Sequence, residues 1–126
     1  MFKLHKIEGG RINVYEPEFF TVGSTAVTTG QALVLSSGKL VKAGATTKPT
    51  FIALADADAS AECPVGRVES NQLYEVEITA VPASVGIKVT LDTTASKVTG
   101  TTTDGVAEVV ELRGATKAGD TIVVRF

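Results

Sequence analysis

The residues that could do chemistry in this chain are few and far apart. His5 is the single histidine and Cys63 is the single cysteine. A histidine acts as a general acid or base when a positioned partner orients it, but His5 is flanked by Lys3 and Lys6. Cys63 precedes a proline and has no histidine near it in sequence, which favours a small buried apolar side chain over a nucleophile. We therefore expect neither residue to be catalytic.

A short acidic run is the candidate for a metal site. Asp56 and Asp58 stand at alternate positions and Glu62 follows, and alternate carboxylates can bind Ca²⁺. However, no third aspartate or asparagine and no central glycine follow, so the spacing of a calcium-binding loop is not met. Residues 54–80 hold six carboxylates against one arginine, which is typical of a solvated face or of a surface that docks on a basic partner. We expect no metal and no other cofactor.

Charge and motif content exclude several classes of function. The formal net charge is −2, and the basic residues stand singly, so we expect no nucleic-acid binding. No phosphate-binding loop, dinucleotide fingerprint or zinc-protease motif occurs. No apolar run is long enough to span a membrane, and the first residues lack the apolar stretch of a secretory signal. A lone cysteine forms no intrachain disulfide and suits a reducing assembly compartment. We predict that the chain is not an enzyme.

Residue composition indicates an all-β domain. Of the 126 residues, seventeen are valine and seventeen are threonine, and branching at Cβ suits strands better than helices. Short apolar runs separated by Gly, Ser, Thr and Asp clusters are typical of a single β-barrel or β-sandwich. The segment from Leu73 to Ala80 alternates strictly, which predicts a half-buried strand with Glu75 and Glu77 facing water. Further strands are expected at 32–35, 39–42, 50–54, 65–68, 87–91, 97–99, 106–112 and 121–126, with a turn at 36–38 and a loop or helical turn at 55–62.

Two halves of the chain carry the same order of elements. Gly30 to Val68 and Gly86 to Phe126 each run through a glycine, an apolar strand ending in leucine, a turn and a lysine–aliphatic pair. A threonine-rich loop, a second strand ending in leucine and an arginine flanked by apolar residues then follow in both. Hairpins with similar turns also resemble one another, so we leave open whether these pseudo-repeats are a true duplication.

The first twenty residues differ from the rest. They contain four of the seven aromatic side chains, and Gly9-Gly10 and Pro17 interrupt them. We expect an extended N-terminal arm at 1–20, with one or two short strands, followed by the β-domain at 21–126. Ordering twenty residues costs about 20–40 kcal/mol, so we expect at least the first ten to stay mobile until a partner orders them. An edge strand at 12–15 within the chain's own sheet is the alternative. The predicted partner-binding residues are Phe2, Leu4, Ile12, Val14, Tyr15, Phe19 and Phe20.

Three stretches together carry a resemblance to a known family. Residues 30–54 read GQALVLSSGKLVKAGATTKPTFIAL, residues 63–68 read CPVGRV, and the last part of the chain contains GVAEVVEL and GDTIVVRF. In pattern and composition they resemble the small capsid decoration, or cement, proteins of tailed phages. The resemblance implies a compact β-rich protein on the outside of an icosahedral head, bound at junctions between major capsid subunits, often as a trimer. It carries no catalytic residues, and the segment GGRINVYEPEFF does not match, which leaves the mode of attachment open.

The leading hypothesis from the sequence is a structural virion protein that binds the outer surface of a phage head and stabilises the shell. Its expected partners are the major capsid protein and further copies of itself, with a trimer favoured. Its expected location is the capsid exterior, after assembly in the host cytoplasm. Two alternatives are a tail or head-fibre module and a carbohydrate-binding β-sandwich. Carbohydrate modules present aromatic platforms, and only Phe51, Tyr74 and Phe126 lie outside the first twenty residues, which disfavours the last alternative.

Overall fold

The described part of the chain consists of β-strands and the turns between them. A computed structural model describes residues 1–10 and 14–126, and within them it contains ten strands and no helix. The strands are β1 (Lys3–Ile7), β2 (Glu18–Thr21), β3 (Ala32–Ser36), β4 (Lys39–Lys42), β5 (Phe51–Ala53), β6 (Glu62–Arg67), β7 (Gln72–Glu77), β8 (Lys88–Val89), β9 (Ala107–Glu111) and β10 (Thr121–Arg125). The all-β prediction is therefore confirmed.

These strands form two five-stranded sheets. The first sheet has the order β1-β7-β10-β9-β8 and the second has the order β2-β6-β5-β3-β4, with every strand pair antiparallel. The sheets stack as a compact sandwich, so of the two predicted architectures the sandwich is confirmed and the closed barrel is wrong. The physical reason is that the hydrogen-bonded ladders end separately in each sheet instead of joining into one ring.

Local sequence signals account for several elements. The β3–β4 hairpin turns through Ser37 and Gly38, whose φ angles of 49° and 76° are those of a two-residue turn that matches the strand twist. In β7 the predicted alternation is confirmed from Tyr74 to Ile78, since Tyr74, Val76 and Ile78 are buried while Glu75 and Glu77 are half-buried. It is wrong at the two ends, because Leu73 is also buried and the strand ends at Glu77 with Ala80 exposed. Residues 55–61 form a loop rather than a helical turn, and β6 begins at Glu62, earlier than predicted.

The core has two parts. The inter-sheet core combines residues of the second sheet, such as Ala32 and Ile52, with buried side chains of the first sheet, such as Tyr74 and Ile122. The second-sheet core contains Val22, Val27, Leu33, Leu40, Phe51, Ala53, Cys63 and Val65. Because Cys63 is fully buried in this second core, the prediction of a small buried apolar side chain is confirmed.

The two sheets repeat one topology. The second sheet has the strand order β2-β6-β5-β3-β4. In the first sheet, β7, β10, β9 and β8 correspond in this order to β2, β6, β5 and β3. The pairing of Ala32 with Ile52 recurs 56 residues later as the pairing of Lys88 with Glu108. The repeated unit is thus one strand longer than the sequence pattern indicated, because it begins at β2 and at β7.

The region that corresponds to β4 completes the match. Val98, in the predicted strand at 97–99, pairs with Leu91 and forms a parallel bridge with Ile78. In the second sheet, a parallel bridge joins Val22 to Leu40 in the same way. The strand β1 has no counterpart in the second sheet and is an addition to the edge of the first.

The first ten residues lie on the body of the sandwich. β1 pairs with β7 from Lys3 opposite Glu75 to Ile7 opposite Gln72, and Phe2, just before it, is 2% exposed. The short strands predicted within residues 1–20 are therefore present as β1 and β2. We expected the first ten residues to be mobile, whereas in the structure β1 pairs with β7. The physical reason is that Phe2 is buried among apolar residues of its own chain.

Candidate partner-binding surface

The predicted partner-binding residues fall into two groups in the structure. Phe2, Leu4, Tyr15 and Phe20 pack against the two cores, whereas Val14 and Phe19 are exposed. Ile12 lies outside the described residues. A side chain that already fills a core is not available to a partner, so the two groups have different roles.

Phe2 anchors the N-terminus in the inter-sheet core. Its ring meets Tyr74 edge-on at a centroid distance of 6.4 Å and Phe126 at 5.3 Å. Its backbone N–H donates to the carbonyl oxygen of Gly30 over 2.8 Å. Aromatic contacts of this geometry add to the stabilisation from apolar burial. Phe2 is thus a core residue rather than a partner anchor.

Tyr15 fixes the segment that leads into β2. Its ring stacks on Tyr74 at 6.4 Å and lies directly over Gly66, where an added Cβ would overlap the Tyr15 ring. Burial raises the pKa of Tyr15 far above its usual range, and burial also raises the pKa of Tyr74 to about 12. Both phenols therefore stay neutral at physiological pH. Gly66 creates the space for Tyr15, a role that could not be inferred without the tertiary contact.

β2 presents its two phenylalanines in opposite directions. Phe20 packs on the buried ring of Phe51 at 5.0 Å, and Phe19 is 58% exposed. Successive side chains of a strand point to opposite faces, so burying one of the pair exposes the other. Arg67 donates two hydrogen bonds to Glu18, of 2.9 and 2.7 Å, which tie β2 to β6 on the face of β2 opposite to Phe19.

Val14 is the second exposed apolar residue of this segment, at 60% exposure. Together, Val14 and Phe19 are named the Val14–Phe19 surface. A groove of about 410 Å³ is lined by Val14, Glu16, Glu69 and the Glu18–Arg67 pair, among others, but not by Phe19. Apolar side chains next to carboxylates suit a partner that presents an apolar residue beside a basic one.

The residues considered for chemistry have structural partners. His5 Nδ1 lies 3.2 Å from Glu75 Oε1, and Arg113 Nη1 donates to the same oxygen over 2.8 Å. The hydrogen bond from Arg113 lowers the pKa of Glu75. No partner for His5 is apparent from its neighbours in sequence, because Arg113 is distant in sequence and only the fold brings it near.

The acidic run is divided between structural elements. Asp56 accepts hydrogen bonds from the backbone N–H and the hydroxyl of Thr29, and these bonds lower its pKa. Glu75 instead lies on β7 of the first sheet, so the carboxylates of 54–80 are shared between the two sheets. Within residues 1–10 and 14–126, no three His, Cys, Asp or Glu side chains are grouped to hold a metal ion. In the same residues no helix is long and apolar enough to cross a membrane.

The protein is a two-sheet, all-β sandwich, and Val14 and Phe19 are exposed apolar side chains on its surface. No protein-family model matches the sequence, and no curated protein matches it. Among solved structures, the chain is similar to one described as the crystal structure of the head fiber gp8.5 N base in bacteriophage phi29. The TM-score is 0.63 at 19% identity, and the match covers 87% of this chain and 93% of that chain. At this level of identity, the likeness establishes a shared fold.

Proposed function

We propose that this chain is a structural protein of a tailed-phage head, which binds the outer surface of the shell and stabilises it. The observation that carries the proposal is the fold shared with a phage head-fibre base over 93% of that chain. The resemblance of residues 30–54 and 63–68 to capsid decoration proteins points to the same particle. The proposed role needs no catalytic group and no cofactor.

The proposed attachment site is the Val14–Phe19 surface. Aromatic and aliphatic side chains at the centre of an interface supply most of the binding free energy. The major capsid protein is the proposed partner, and the chain acts as a homo-oligomer on the capsid exterior, with a trimer favoured. Neither nucleic acid nor membrane takes part in this role.

A head-fibre base is the second candidate. It is favoured by the printed description of the similar structure, the N base of a head fibre. A decoration protein and a fibre base both bind the head, but they differ in what binding achieves. A decoration protein strengthens the shell, whereas a fibre base carries a further fibrous part outward.

Co-sedimentation with purified heads tests the proposal. The wild-type protein is expected to sediment with heads lacking it, and Phe19→Ala is expected to bind at least about tenfold more weakly, because a central aromatic is lost. Leu35→Ala, at another exposed apolar position, is the matched control and should bind as the wild type. Failure of the wild-type protein to bind heads would reject the proposed function.

Heat stability of the heads separates the two candidates. If the chain is a decoration protein, saturating heads with it raises the temperature at which the shell opens, as measured by release of packaged DNA. If binding leaves that temperature unchanged, the fibre-base role is supported and the stabilising role is rejected.

A further inference from the structure

The outer edge of β2 directs the backbone of Phe19 away from the sandwich. β2 lies at one end of the second sheet, and its strand partner is β6. The backbone N–H of Val22 donates to Ala61 on the side of β6, and the N–H of Gly23 donates to Leu40 on the opposite side. Backbone groups of successive residues point alternately to the two sides of a strand. Phe19 therefore faces the same side as Gly23, away from β6.

The residue opposite Phe19 gives the same result independently. Phe19 is paired in register with Pro64 of β6. Proline has no backbone N–H, and the carbonyl oxygen of Pro64 accepts a hydrogen bond from Leu54 on the other side of β6. Pro64 therefore bonds to neither backbone group of Phe19. Within residues 1–10 and 14–126, the N–H and the carbonyl oxygen of Phe19 have no backbone partner.

The internal repeat shows what occupies the equivalent edge of the first sheet. Phe19 corresponds to Glu75, since each lies three residues before a parallel bridge, at Val22 and at Ile78. Glu75 has a partner on both sides, because β10 pairs with β7 on one side and Lys3 of β1 lies opposite Glu75 on the other. The edge that is open at Phe19 is thus filled at Glu75 by an added antiparallel strand.

The side chains along the two end strands also differ. β1, which ends the first sheet, carries the exposed Lys3 and Lys6, and lysines on an edge strand oppose the addition of a further strand. In β2 the charge of Glu18 is held by Arg67, and the ring of Phe19 is 58% exposed. The edge of β2 thus combines open backbone groups with an exposed aromatic side chain. In strand addition, such backbone groups supply affinity and such side chains supply specificity.

We infer that β2 receives an extended segment of the major capsid protein as an added antiparallel strand, paired with Phe19 as Lys3 is paired with Glu75. This inference rests on the proposed function, and it specifies how the Val14–Phe19 surface binds the head. One residue of the segment bonds to both backbone groups of Phe19. Its side chain then lies about 5 Å from the Phe19 side chain, so an apolar residue is expected at that position.

Charge around β2 favours a basic segment over a second copy of this chain. Glu16, Glu62 and Glu69 are exposed, and in the described part of the chain none of them forms an ion pair. Glu62 lies opposite Thr21 of β2, and Glu16 is two residues before the strand. Pairing β2 with its own copy would bring these carboxylates together and repel. Lysine or arginine flanking the apolar residue of the segment would instead be attracted.

Co-sedimentation of two variants with purified heads tests the backbone pairing. Phe19→Ala and Phe19→Pro both remove the ring, but only proline removes the N–H. Proline is tolerated on an edge strand whose N–H faces solvent, so both variants are expected to have the same Tm. Phe19→Pro is expected to bind heads at least about threefold more weakly than Phe19→Ala, because one hydrogen bond is lost. Equal binding would overturn the strand pairing alone, whereas a wild type that does not bind heads would reject the proposed function with it.

Hydrogen exchange of the wild type, resolved to single amides, gives a test that needs no variant. The Phe19 amide is expected to exchange fast in the free protein and at least about tenfold more slowly on heads. The Phe20 amide faces β6 and is the internal reference, protected in both states. An unchanged Phe19 amide on heads would overturn the inference. Slowed exchange at raised protein concentration without heads would also overturn it, by assigning the edge to a second copy.

Discussion

At the scale of single residues, Asp92 shows how one side chain orders an irregular part of the sandwich. Its Oδ1 accepts hydrogen bonds from the backbone N–H groups of Ser96 and Lys97, at 3.0 and 2.9 Å. Its Oδ2 accepts the hydroxyl of Thr94 at 2.6 Å. In the loop that these bonds hold, the carbonyl oxygen of Ala95 accepts a hydrogen bond from the backbone N–H of Ala32 in the second sheet. Asp92 therefore supports a connection between the two sheets.

Asp92 also sets a pH dependence. Burial acts to raise its pKa, but the hydrogen bonds from Thr94, Lys97 and Ser96 outweigh burial and lower the pKa below the ordinary 3.8. A carboxyl whose pKa is lower in the folded state stabilises the fold above its unfolded pKa, and this stabilisation is lost as pH falls through the folded pKa. The contribution of Asp92 is therefore present at neutral pH and absent in strong acid.

We predict that Asp92→Asn lowers the free energy of unfolding by about 1–2 kcal/mol at neutral pH, because charge-assisted hydrogen bonds are lost. Urea unfolding over a series of pH values from neutral into acid measures the difference, which should shrink as pH falls toward the folded pKa of Asp92. Asp58→Asn, at an exposed position, is the control and should change stability by less than about 0.5 kcal/mol. A pH-independent loss in Asp92→Asn would contradict the role of its charge.

At the scale of elements, β1 raises the question of what holds an edge strand in place. Surface ion pairs such as Arg125 with Glu8, just after β1, contribute about 0–1 kcal/mol each. Removing a buried phenylalanine side chain costs about 3–5 kcal/mol. Burial of Phe2 therefore contributes most of the free energy that holds β1 in place. The charged side chains on the outer face of β1 contribute less.

We predict that Phe2→Ala lowers the free energy of unfolding by about 3–4 kcal/mol, with a corresponding fall in Tm. Phe19→Ala is the matched control within the same twenty residues, and its exposed ring should leave stability within about 0.5 kcal/mol of the wild type. Thermal and urea unfolding of both variants measure the contrast. Equal stability of Phe2→Ala and the wild type would mean that β1 is dispensable for the fold.

At the scale of the whole molecule, the two cores determine how the sandwich unfolds. The inter-sheet core takes side chains from both sheets, so neither sheet keeps its apolar cover when the other is lost. The second-sheet core includes Leu33 and Phe51, which lie on the same strands as Ala32 and Ile52 of the inter-sheet core. Because the two cores share these strands, loss of one core disrupts the other.

We predict one cooperative unfolding transition, which natural probes in each core can test. The two tyrosines, Tyr15 and Tyr74, contact the inter-sheet core, and Cys63 lies in the second-sheet core. Tyrosine fluorescence and pulse labelling of the Cys63 thiol should give the same midpoint across a urea series. A thiol that becomes reactive at a lower urea concentration than the tyrosine transition would reveal separate unfolding of the second sheet.

Local pattern alone predicted much of the fold. The alternation of Leu73 to Ala80 predicted β7 and its outward-facing glutamates, because side chains of a strand alternate between its faces. The Ser-Ser-Gly turn predicted the β3–β4 hairpin, because those residues allow the backbone to reverse. The similar order of elements in the two halves indicated the repeated topology. Each of these features depends on residues that are near one another in sequence.

The candidate surface was predicted only in part. The sequence placed the seven predicted partner-binding residues in one group, because composition indicates that a side chain needs apolar cover but not where the cover lies. Tertiary contacts then separated Phe2, which fills a gap beside Tyr74 and Phe126, from Phe19, which faces water.

The strand content and the main turns could be predicted from the printed sequence. Only the tertiary structure decided that the strands form a sandwich instead of a barrel, that β1 covers β7, and that His5 meets Arg113. The physical reason is the range of the interactions. Strand propensity and turns follow from a few neighbouring residues, whereas burial of Phe2 and the pairing of His5 with Arg113 require segments about a hundred residues apart to meet.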